Sequence, residues 1–113
     1  MNSTVLASHL ISFPYKGGMH LFSPDQIIRI EGDSNYSIIH TIGHRPIIMA
    51  KVLRAYEAML TPFGFLRTHK SHLINPEHVE HITQKGIIRM KDESEVSVSR
   101  RKRIEVLRQT KSI

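Results

Sequence analysis

The chain has neither cysteine nor tryptophan among its 113 residues. Without cysteine it cannot contain a disulfide framework, a thiolate zinc site or a cysteine nucleophile. It has no apolar run approaching the roughly 18 residues that a membrane-spanning helix requires. Its first ten residues also lack the charged start and long apolar centre of a secretory signal. We therefore expect a soluble, intracellular protein with the cytoplasm as its compartment.

Acidic residues are in the minority. The chain has 16 lysines and arginines against 10 aspartates and glutamates, a formal charge of +6 and a pI near 10.0. A chain of 113 residues fits one domain and can bury a core without disulfides or metals. For one small domain, such a basic excess points to a polyanionic partner, of which nucleic acid is the commonest.

Most of the excess positive charge lies near the end of the sequence. Residues 99–113 contain six basic residues and one acidic residue, a net charge of +5. Four of the basic residues are consecutive, Arg100-Arg101-Lys102-Arg103, and they follow the hydroxyls of Ser97 and Ser99. A solvated, charged terminus is the alternative interpretation of this run.

Apolar and β-branched runs separated by turn signals predict a mostly β domain over residues 10–110, preceded by a flexible segment or linker stub over residues 1–9. Eight or nine short strands are expected. They cover residues 9–14, 19–22, 27–31, 36–42, 47–50, 65–69, 79–83, 87–90 and 95–99. The third, fourth and fifth of these strands form a predicted antiparallel meander.

Two helices are expected. The first covers residues 51–60, before Pro62, which disfavours a helical residue in front of it. The apolar residues that share one face of this helix are Val52, Leu53, Tyr56, Met59 and Leu60. The second helix is short, covers residues 100–110 and is capped by Ser99.

The densest set of hydrogen-bond donors lies between Phe65 and Asn75. Its members are Arg67, His69, Lys70, Ser71, His72 and Asn75. The segment contains no aspartate or glutamate to neutralise them. Such a set suits an anion or a nucleic-acid backbone better than an apolar core. A strand end followed by a solvated loop is the alternative, but two donor-rich segments in one small domain favour nucleic-acid binding.

Three stretches of the sequence resemble the LytTR-type DNA-binding domain of bacterial transcription regulators. They are Ile30–Tyr36 (IEGDSNY), Phe65–Asn75 (FLRTHKSHLIN) and Val96–Arg101 (VSVSRR), in the order that the family has them. The middle stretch is the family's strongest signature. The likeness spans residues 10–107, and the helix predicted before Phe65 also falls where the family has one.

The resemblance implies small antiparallel β-sheets packed together, with three loops that bind double-stranded DNA in place of a recognition helix. The outer loops would enter successive major grooves, and the middle loop would contact the backbone and the minor groove. By position, Asn35 leads the first loop, Lys70 the second and Arg100 the third. The full set of implied DNA-binding residues is Asn35, His69, Lys70, Ser71, Ser99, Arg100 and Arg101.

The implied function is sequence-specific transcription regulation, of the response-regulator output-domain type, with two copies on paired DNA sites. Family regulators usually carry a receiver domain or a membrane segment before this domain, and here about ten residues precede it. The chain is therefore either a free-standing regulator or part of a longer one. A homodimer and an upstream receiver domain or sensor kinase are the implied protein partners. The sequence does not identify the promoter, the upstream signal, or whether regulation activates or represses.

The side-chain chemistry agrees with these roles. Arg100 can form two parallel hydrogen bonds with guanine O6 and N7, worth roughly 1–3 kcal/mol of discrimination, and Asn35 can do the same for adenine. Lys70 is a flexible point charge that suits phosphate. The hydroxyls of Ser71 and Ser99 suit the phosphate contacts that set register.

Three residues have simpler interpretations. Asn35 can also be interpreted as an ordinary turn residue, because asparagine is common in turns. Tyr36 is expected to be a core aromatic rather than a base-stacking platform. Arg67 is expected to pack its stem within a strand, and we leave it out of the predicted site.

Two other functions are weaker candidates. His72, His78 and His81 are close in sequence, but His78 and His81 would face opposite sides of a strand. No acid pair or nucleophile–base set converges by spacing, so we expect neither an enzyme nor a metal or cofactor site. A β module for RNA or protein is the second candidate. Single-strand RNA binders present exposed aromatics, whereas most aromatic residues here occupy core-like positions.

Overall fold

The computed structural model describes residues 10–110, and the predicted flexible segment over residues 1–9 lies outside the described residues. Within residues 10–110 the chain forms ten β-strands and two α-helices. The strands are β1 (Ile11–Tyr15), β2 (Gly18–Phe22), β3 (Ile27–Asp33), β4 (Tyr36–Thr41), β5 (Ile47–Met49), β6 (Leu66–His69), β7 (His72–Ile74), β8 (Val79–Ile82), β9 (Ile87–Met90) and β10 (Glu95–Ser97). The helices are α1 (Leu53–Leu60) and α2 (Arg103–Thr110).

The strands form three antiparallel sheets. The central sheet has five strands in the order β5-β4-β3-β7-β6. It is accompanied by the β1–β2 hairpin and by a three-stranded sheet in the order β10-β9-β8. The predicted meander is present as β3, β4 and β5 of the central sheet. The expected architecture of small antiparallel sheets packed together is therefore confirmed.

The sequence predicts a loop where the structure has β7. This strand pairs with β3 on one side and with β6 on the other. The turn before it consists of only Lys70 and Ser71. Leu73 and Ile74 are fully buried, but the polar residues around the turn mask this short apolar pair in the sequence. Over residues 10–110, ten strands therefore replace the eight or nine predicted.

Helix α1 begins at Leu53 rather than at residue 51, and it ends at Leu60. It buries Leu53, Tyr56 and Leu60 as expected. Val52 and Met59 are instead 45% and 37% exposed, which corrects the predicted apolar face. Val52 precedes the first helical turn. Met59 lies at the margin of the buried stripe, which follows positions i, i+3 and i+7 from Leu53.

The central sheet separates two apolar clusters. One lies between this sheet, the β1–β2 hairpin and α1, and the other lies between this sheet, the three-stranded sheet and α2. Strand β7 contributes one residue to each cluster, because Leu73 and Ile74 are neighbours in the strand and point to opposite faces of the sheet. A Cβ on Gly32 would lie 3.1 Å from the Leu53 Cβ, so α1 packs directly on the backbone of β3.

The terminal helix begins later than predicted. Arg100–Lys102 forms a 3-10 turn, and α2 starts at Arg103. Ser99 occupies the cap position, but its hydroxyl makes no capping hydrogen bond, which corrects the predicted cap. Its carbonyl accepts the Lys102 N–H at 3.0 Å instead. Arg103 Nη2 donates to Lys85 O at 2.7 Å and ties the start of α2 to the β8–β9 turn.

Asn75 is a structural residue rather than a surface donor. It is 3% exposed. Its Nδ2 donates to Ile27 O at 3.0 Å and to Pro24 O at 3.3 Å, and its Oδ1 accepts the Glu77 N–H at 3.0 Å. The amide therefore joins the end of β7 to the turn before β3.

We expect Asn75→Ala to lower the free energy of unfolding by about 1–3 kcal/mol, because buried backbone groups lose their hydrogen-bond partner. Asn35→Ala is the matched control, since Asn35 is an exposed turn residue and such changes cost about 0.5 kcal/mol or less. Urea unfolding followed by circular dichroism measures both variants. Equal stability of the two would contradict the structural role of Asn75.

Candidate nucleic-acid interface

The three loops that carry the predicted DNA-binding residues lie at one edge of the central sheet. Because β7 runs antiparallel to β3, its start lies beside the end of β3, and the β6–β7 turn lies beside the β3–β4 turn. The Gly32 N–H donates to Ser71 O at 2.9 Å and connects these two turns. The Ser99 N–H donates to Thr68 O at 2.8 Å, which brings the segment after β10 to the same edge.

We call this surface the loop edge and define it as residues 34–35, 69–71 and 99–102. Two open cavities separate its loops. The smaller, of about 360 Å³, is lined by Glu57, Arg67, His69, Lys70, Ser99, Arg101 and Lys102. The larger, of about 800 Å³, lies between the first loop, the middle loop and α1, and its polar lining includes Ser34, Arg54, Lys70 and Ser71. Lys70 lines both cavities and so lies between the outer loops.

Five of the seven predicted site residues line one of these cavities. Asn35 and Arg100 line neither cavity. Both side chains are exposed, Asn35 in the β3–β4 turn and Arg100 at the first position of the 3-10 turn before α2. The geometry thus groups the middle and third loops around one cavity and leaves these two side chains free to reach outward.

Arg67 shapes the middle loop from the protein side. Its Nε donates to His69 O at 2.9 Å, its Nη2 donates to Lys70 O, and its Nη1 lies 2.8 Å from Glu57 Oε1. The Ser71 N–H donates to His69 Nδ1 at 3.1 Å, which leaves Nε2 as the ring nitrogen available for another hydrogen bond. Arg67 lies in β6 with a mostly buried side chain, as the sequence indicates, and these hydrogen bonds give it a second role in holding the middle loop. No local pattern signals it, because it depends on a partner from α1.

Cationic side chains dominate the loop edge and its margin. The exposed or half-buried cationic residues there are Arg54, Lys70, Arg100, Arg101 and Lys102. Arg54 and Lys102 are not among the site residues predicted from the sequence. Arg54 is distant from the three loops along the chain, and only the packing of α1 on β3 brings it there.

Tyr36 corrects the predicted core. It is 53% exposed. In β4 the buried residues are Ser37, Ile39 and Thr41, which places Tyr36 on the opposite face of the strand. The apolar residues of β4 occur on both faces, so the sequence alone does not show which face is buried. The exposed ring follows Asn35 directly and belongs to the surface of the first loop.

His72 is half-buried behind the middle loop, with its ring centroid 5.4 Å from that of His69. Burial lowers the pKa of His72, nearby His69 and Arg29 lower it further, and Glu31 opposes them. On β4, burial and then Arg29 lower the pKa of His40 despite its contact with Glu31. Both rings are therefore neutral in the folded protein near neutral pH.

The sequence neighbours His72, His78 and His81 do not converge. Among residues 10–110, no three His, Cys, Asp or Glu side chains are placed to hold a metal ion. His78 Nε2 lies 2.7 Å from Asp25 O, and His81 is exposed on β8. None of the helices in the described part of the chain is long and apolar enough to cross a membrane.

A family model and several known proteins match this chain. The family model of the LytTr DNA-binding domain matches residues 17–111. The transcriptional regulatory protein LytR of Staphylococcus aureus, in strains N315 and COL, is 32% identical over 66 residues, which are 58% of this chain and 26% of that protein. One of the solved structures that match is a LytTr DNA-binding domain from a Bacillus cereus protein described as a methyl-accepting/DNA response regulator. It has a TM-score of 0.74 and 16% identity, and covers 88% of this chain and 94% of that one.

We expect the free energy of unfolding to fall as the pH drops from about 7.5 to about 5.5. In the unfolded chain His72 and His40 have the ordinary pKa of 6.5, which is above their pKa in the folded protein. As the pH falls, the unfolded chain therefore binds protons at these rings before the folded protein does. The two histidines contribute their full stabilisation above the unfolded-state pKa of 6.5. This stabilisation is lost as the pH falls toward their lower pKa in the folded protein.

His72→Gln should therefore make stability less dependent on pH over this window. Urea unfolding at both ends of the window measures the effect. His81→Gln, which alters an exposed histidine, is the matched control and should keep the wild-type dependence. A pH dependence in His72→Gln equal to that of the control would contradict the role of His72.

Proposed function

The chain belongs to the LytTr DNA-binding domain family, and we propose that it binds specific sequences of double-stranded DNA through the loop edge. Membership makes it a DNA-binding domain of the kind found in transcriptional regulators and in the output of response regulators. The family is one of DNA-binding domains rather than an enzyme class. The observation that carries the proposal is the convergence of three loops, with Lys70, Arg100 and Arg101 exposed on one surface.

In the proposed complex, the first and third loops enter successive major grooves, and the middle loop faces the backbone and the minor groove between them. The backbone hydrogen bonds from Gly32 to Ser71 and from Ser99 to Thr68 support the placement of the middle loop between the other two. The turns of the first and middle loops contain two residues each. Such narrow turns fit grooves about 12 Å and 6 Å wide.

Asn35 and Arg100 are the proposed base-reading residues. Their exposure outside the two cavities supports this role, because a base-reading side chain must extend beyond the surface that contacts phosphate. The guanidinium fork of Arg100 matches guanine, and the amide of Asn35 matches adenine.

Phosphate contacts are assigned to the residues around the cavities. Lys70 and Arg101 supply charge that is independent of sequence. His69 offers an N–H at Nε2, because its Nδ1 is already occupied by the Ser71 N–H. The hydroxyls of Ser71 and Ser99 are half-buried donors of the type that fix register on the backbone.

The wider setting is also part of the proposal. The match spans 26% of the length of the S. aureus regulators, and the B. cereus domain comes from a protein described as a response regulator. By analogy, the domain would work in the cytoplasm as the DNA-binding part of a regulator under the control of a receiver domain or sensor kinase. Its second partner would be another copy on a paired DNA site.

A single-stranded RNA module is the alternative function, and one observation favours it. Tyr36 presents an exposed aromatic ring beside the first loop, and base stacking on aromatics is the usual basis of single-strand binding. Phe13, Phe22, Tyr56 and Phe65 are buried, and Phe63, which is 38% exposed, follows the end of α1 rather than the first loop. One ring makes a weaker platform than the successive rings that such modules use.

We expect duplex affinity to fall with salt, with a slope of about −0.9 for each phosphate contacted. Lys70→Ala should weaken all duplexes alike and reduce the slope by about one contact, because it removes a phosphate-binding charge. Arg100→Ala should cost about 1–3 kcal/mol on the preferred sequence and relax its preference. Fluorescence anisotropy at several salt concentrations measures both, with a duplex selected from a randomised pool and with poly(dI·dC).

Arg45→Ala is the control for these variants. Arg45 is exposed in the turn after β4, at the opposite end of that strand from the first loop. The change removes one positive charge without altering the loop edge, so the slope should stay as in the wild type. Failure of the wild type to bind any duplex at low salt would contradict the proposal. Stronger competition by single-stranded RNA than by duplex DNA would favour the alternative.

We also expect a duplex with two half-sites to bind about tenfold or more tightly than one with a single half-site, because the second copy binds at a raised local concentration. Two proteins should occupy the paired duplex. Native gel shifts combined with analytical ultracentrifugation measure affinity and stoichiometry. Full affinity for a single half-site, with one protein per duplex, would contradict pairing.

A further inference from the structure

Glu57 is an acidic side chain next to the positively charged loop edge. It lies on α1 and lines the smaller cavity with Arg67, Lys70 and Arg101. Its side chain is 35% exposed. A carboxylate in this position repels DNA phosphates, so it lowers the affinity for any duplex. Its presence therefore requires a compensating effect on the surface around it.

The partner of Glu57 is Arg67. The Arg67 Nη1 lies 2.8 Å from Glu57 Oε1, and the Arg67 side chain is only 18% exposed. Its Nε and Nη2 donate to His69 O and Lys70 O. All three guanidinium nitrogens are thus directed at protein oxygens. The planar guanidinium presents its donors to these three acceptors in a fixed arrangement.

The same bonds fix the backbone of the middle loop. Arg67 holds the carbonyls of His69 and Lys70, and the N–H and carbonyl of Ser71 bond to His69 Nδ1 and the Gly32 N–H. Helix α1 therefore contributes to the conformation of the loop through the ion pair between Glu57 and Arg67. If Glu57 were neutral, the arginine would lose the charge that keeps it turned inward, and a DNA phosphate would be the competing partner.

We propose that Glu57 is a positioning residue that determines the sequence specificity of the loop edge. It holds Arg67 inward, so that the middle loop has one conformation before DNA arrives. With Arg67 held inward, its guanidinium is not available to the phosphates of a non-specific duplex. Specificity is a difference between affinities, and an element that weakens non-specific binding increases it. This inference rests on the proposed DNA-binding function.

The test compares two probes for the full chain, poly(dI·dC) for non-specific binding and a duplex selected by the wild type from a randomised pool. Glu57→Gln should raise the affinity for poly(dI·dC) about three- to tenfold and steepen its salt slope by about 0.9, because Arg67 gains a phosphate contact. The ratio of specific to non-specific affinity should fall about tenfold, since the middle loop also loses its fixed conformation.

Two further variants separate positioning from net charge. Glu77→Gln removes the same charge from an exposed residue beyond the far end of β7, and its affinity ratio should stay at the wild-type value. Glu57→Asp keeps the charge but draws the carboxylate back by about 1.5 Å, one carbon–carbon bond. It should lower the affinity ratio without raising the affinity for poly(dI·dC).

The outcomes are distinguishable. If Glu57→Gln and Glu77→Gln change both affinities equally, or if both Glu57 variants keep the wild-type ratio, the inference is overturned. If the wild type itself binds neither duplex, the proposed function fails instead. Circular dichroism checks that each variant is folded, and the aspartate variant keeps the test decisive if the glutamine variant does not fold.

Discussion

The antiparallel pairing of β7 with β3 is the constraint on which the rest of the molecule depends. It joins the β3–β5 meander to the β6–β7 hairpin and thereby makes one five-stranded sheet. Because the pairing continues to the Gly32–Ser71 hydrogen bond, the two hairpin turns lie side by side. The two faces of β7 also enter different apolar clusters, with Leu73 in one and Ile74 in the other. A shift in register by one residue would exchange these faces and move the middle loop.

The third loop depends on the joint between the central and three-stranded sheets. Val96 and Val98 are buried there, and complete burial of such a side chain contributes about 1.5–3 kcal/mol. Across the joint Arg29 Nε donates to Ser94 Oγ at 3.1 Å, and Arg29 also pairs with Glu31 at 3.3 Å. Partly exposed ion pairs of this kind contribute about 0–1 kcal/mol. Apolar burial therefore holds the sheets together, and the hydrogen bond between Arg29 and Ser94 adds a polar contact between them.

A surface that binds a polyanion must hold like charges close together before the ligand arrives. Here the backbone of each loop is bonded to a neighbouring element, so Lys70 and Arg101 are presented from ordered positions. Ordering these loops on binding would cost about 0.5–1.5 kcal/mol for each immobilised side chain. Because the loops are already ordered in the free protein, part of this entropy loss does not occur on binding. The ordering of the middle loop includes the pair between Arg67 and Glu57, which places a carboxylate among the cationic side chains.

The sequence by itself determined the mostly β class, the β3–β5 meander and the family likeness, because alternation, turn residues and contiguous signatures are local properties of the chain. It also placed the two helices to within a few residues. Only the tertiary structure decided the roles of Asn75, Tyr36 and Arg67. Each role depends on a long-range contact or on which strand face is buried: Asn75 bonds to the turn before β3, Tyr36 lies on the open face of β4, and Arg67 meets Glu57. A local pattern carries no information about such partners, because they are set by the packing of elements that are distant along the chain.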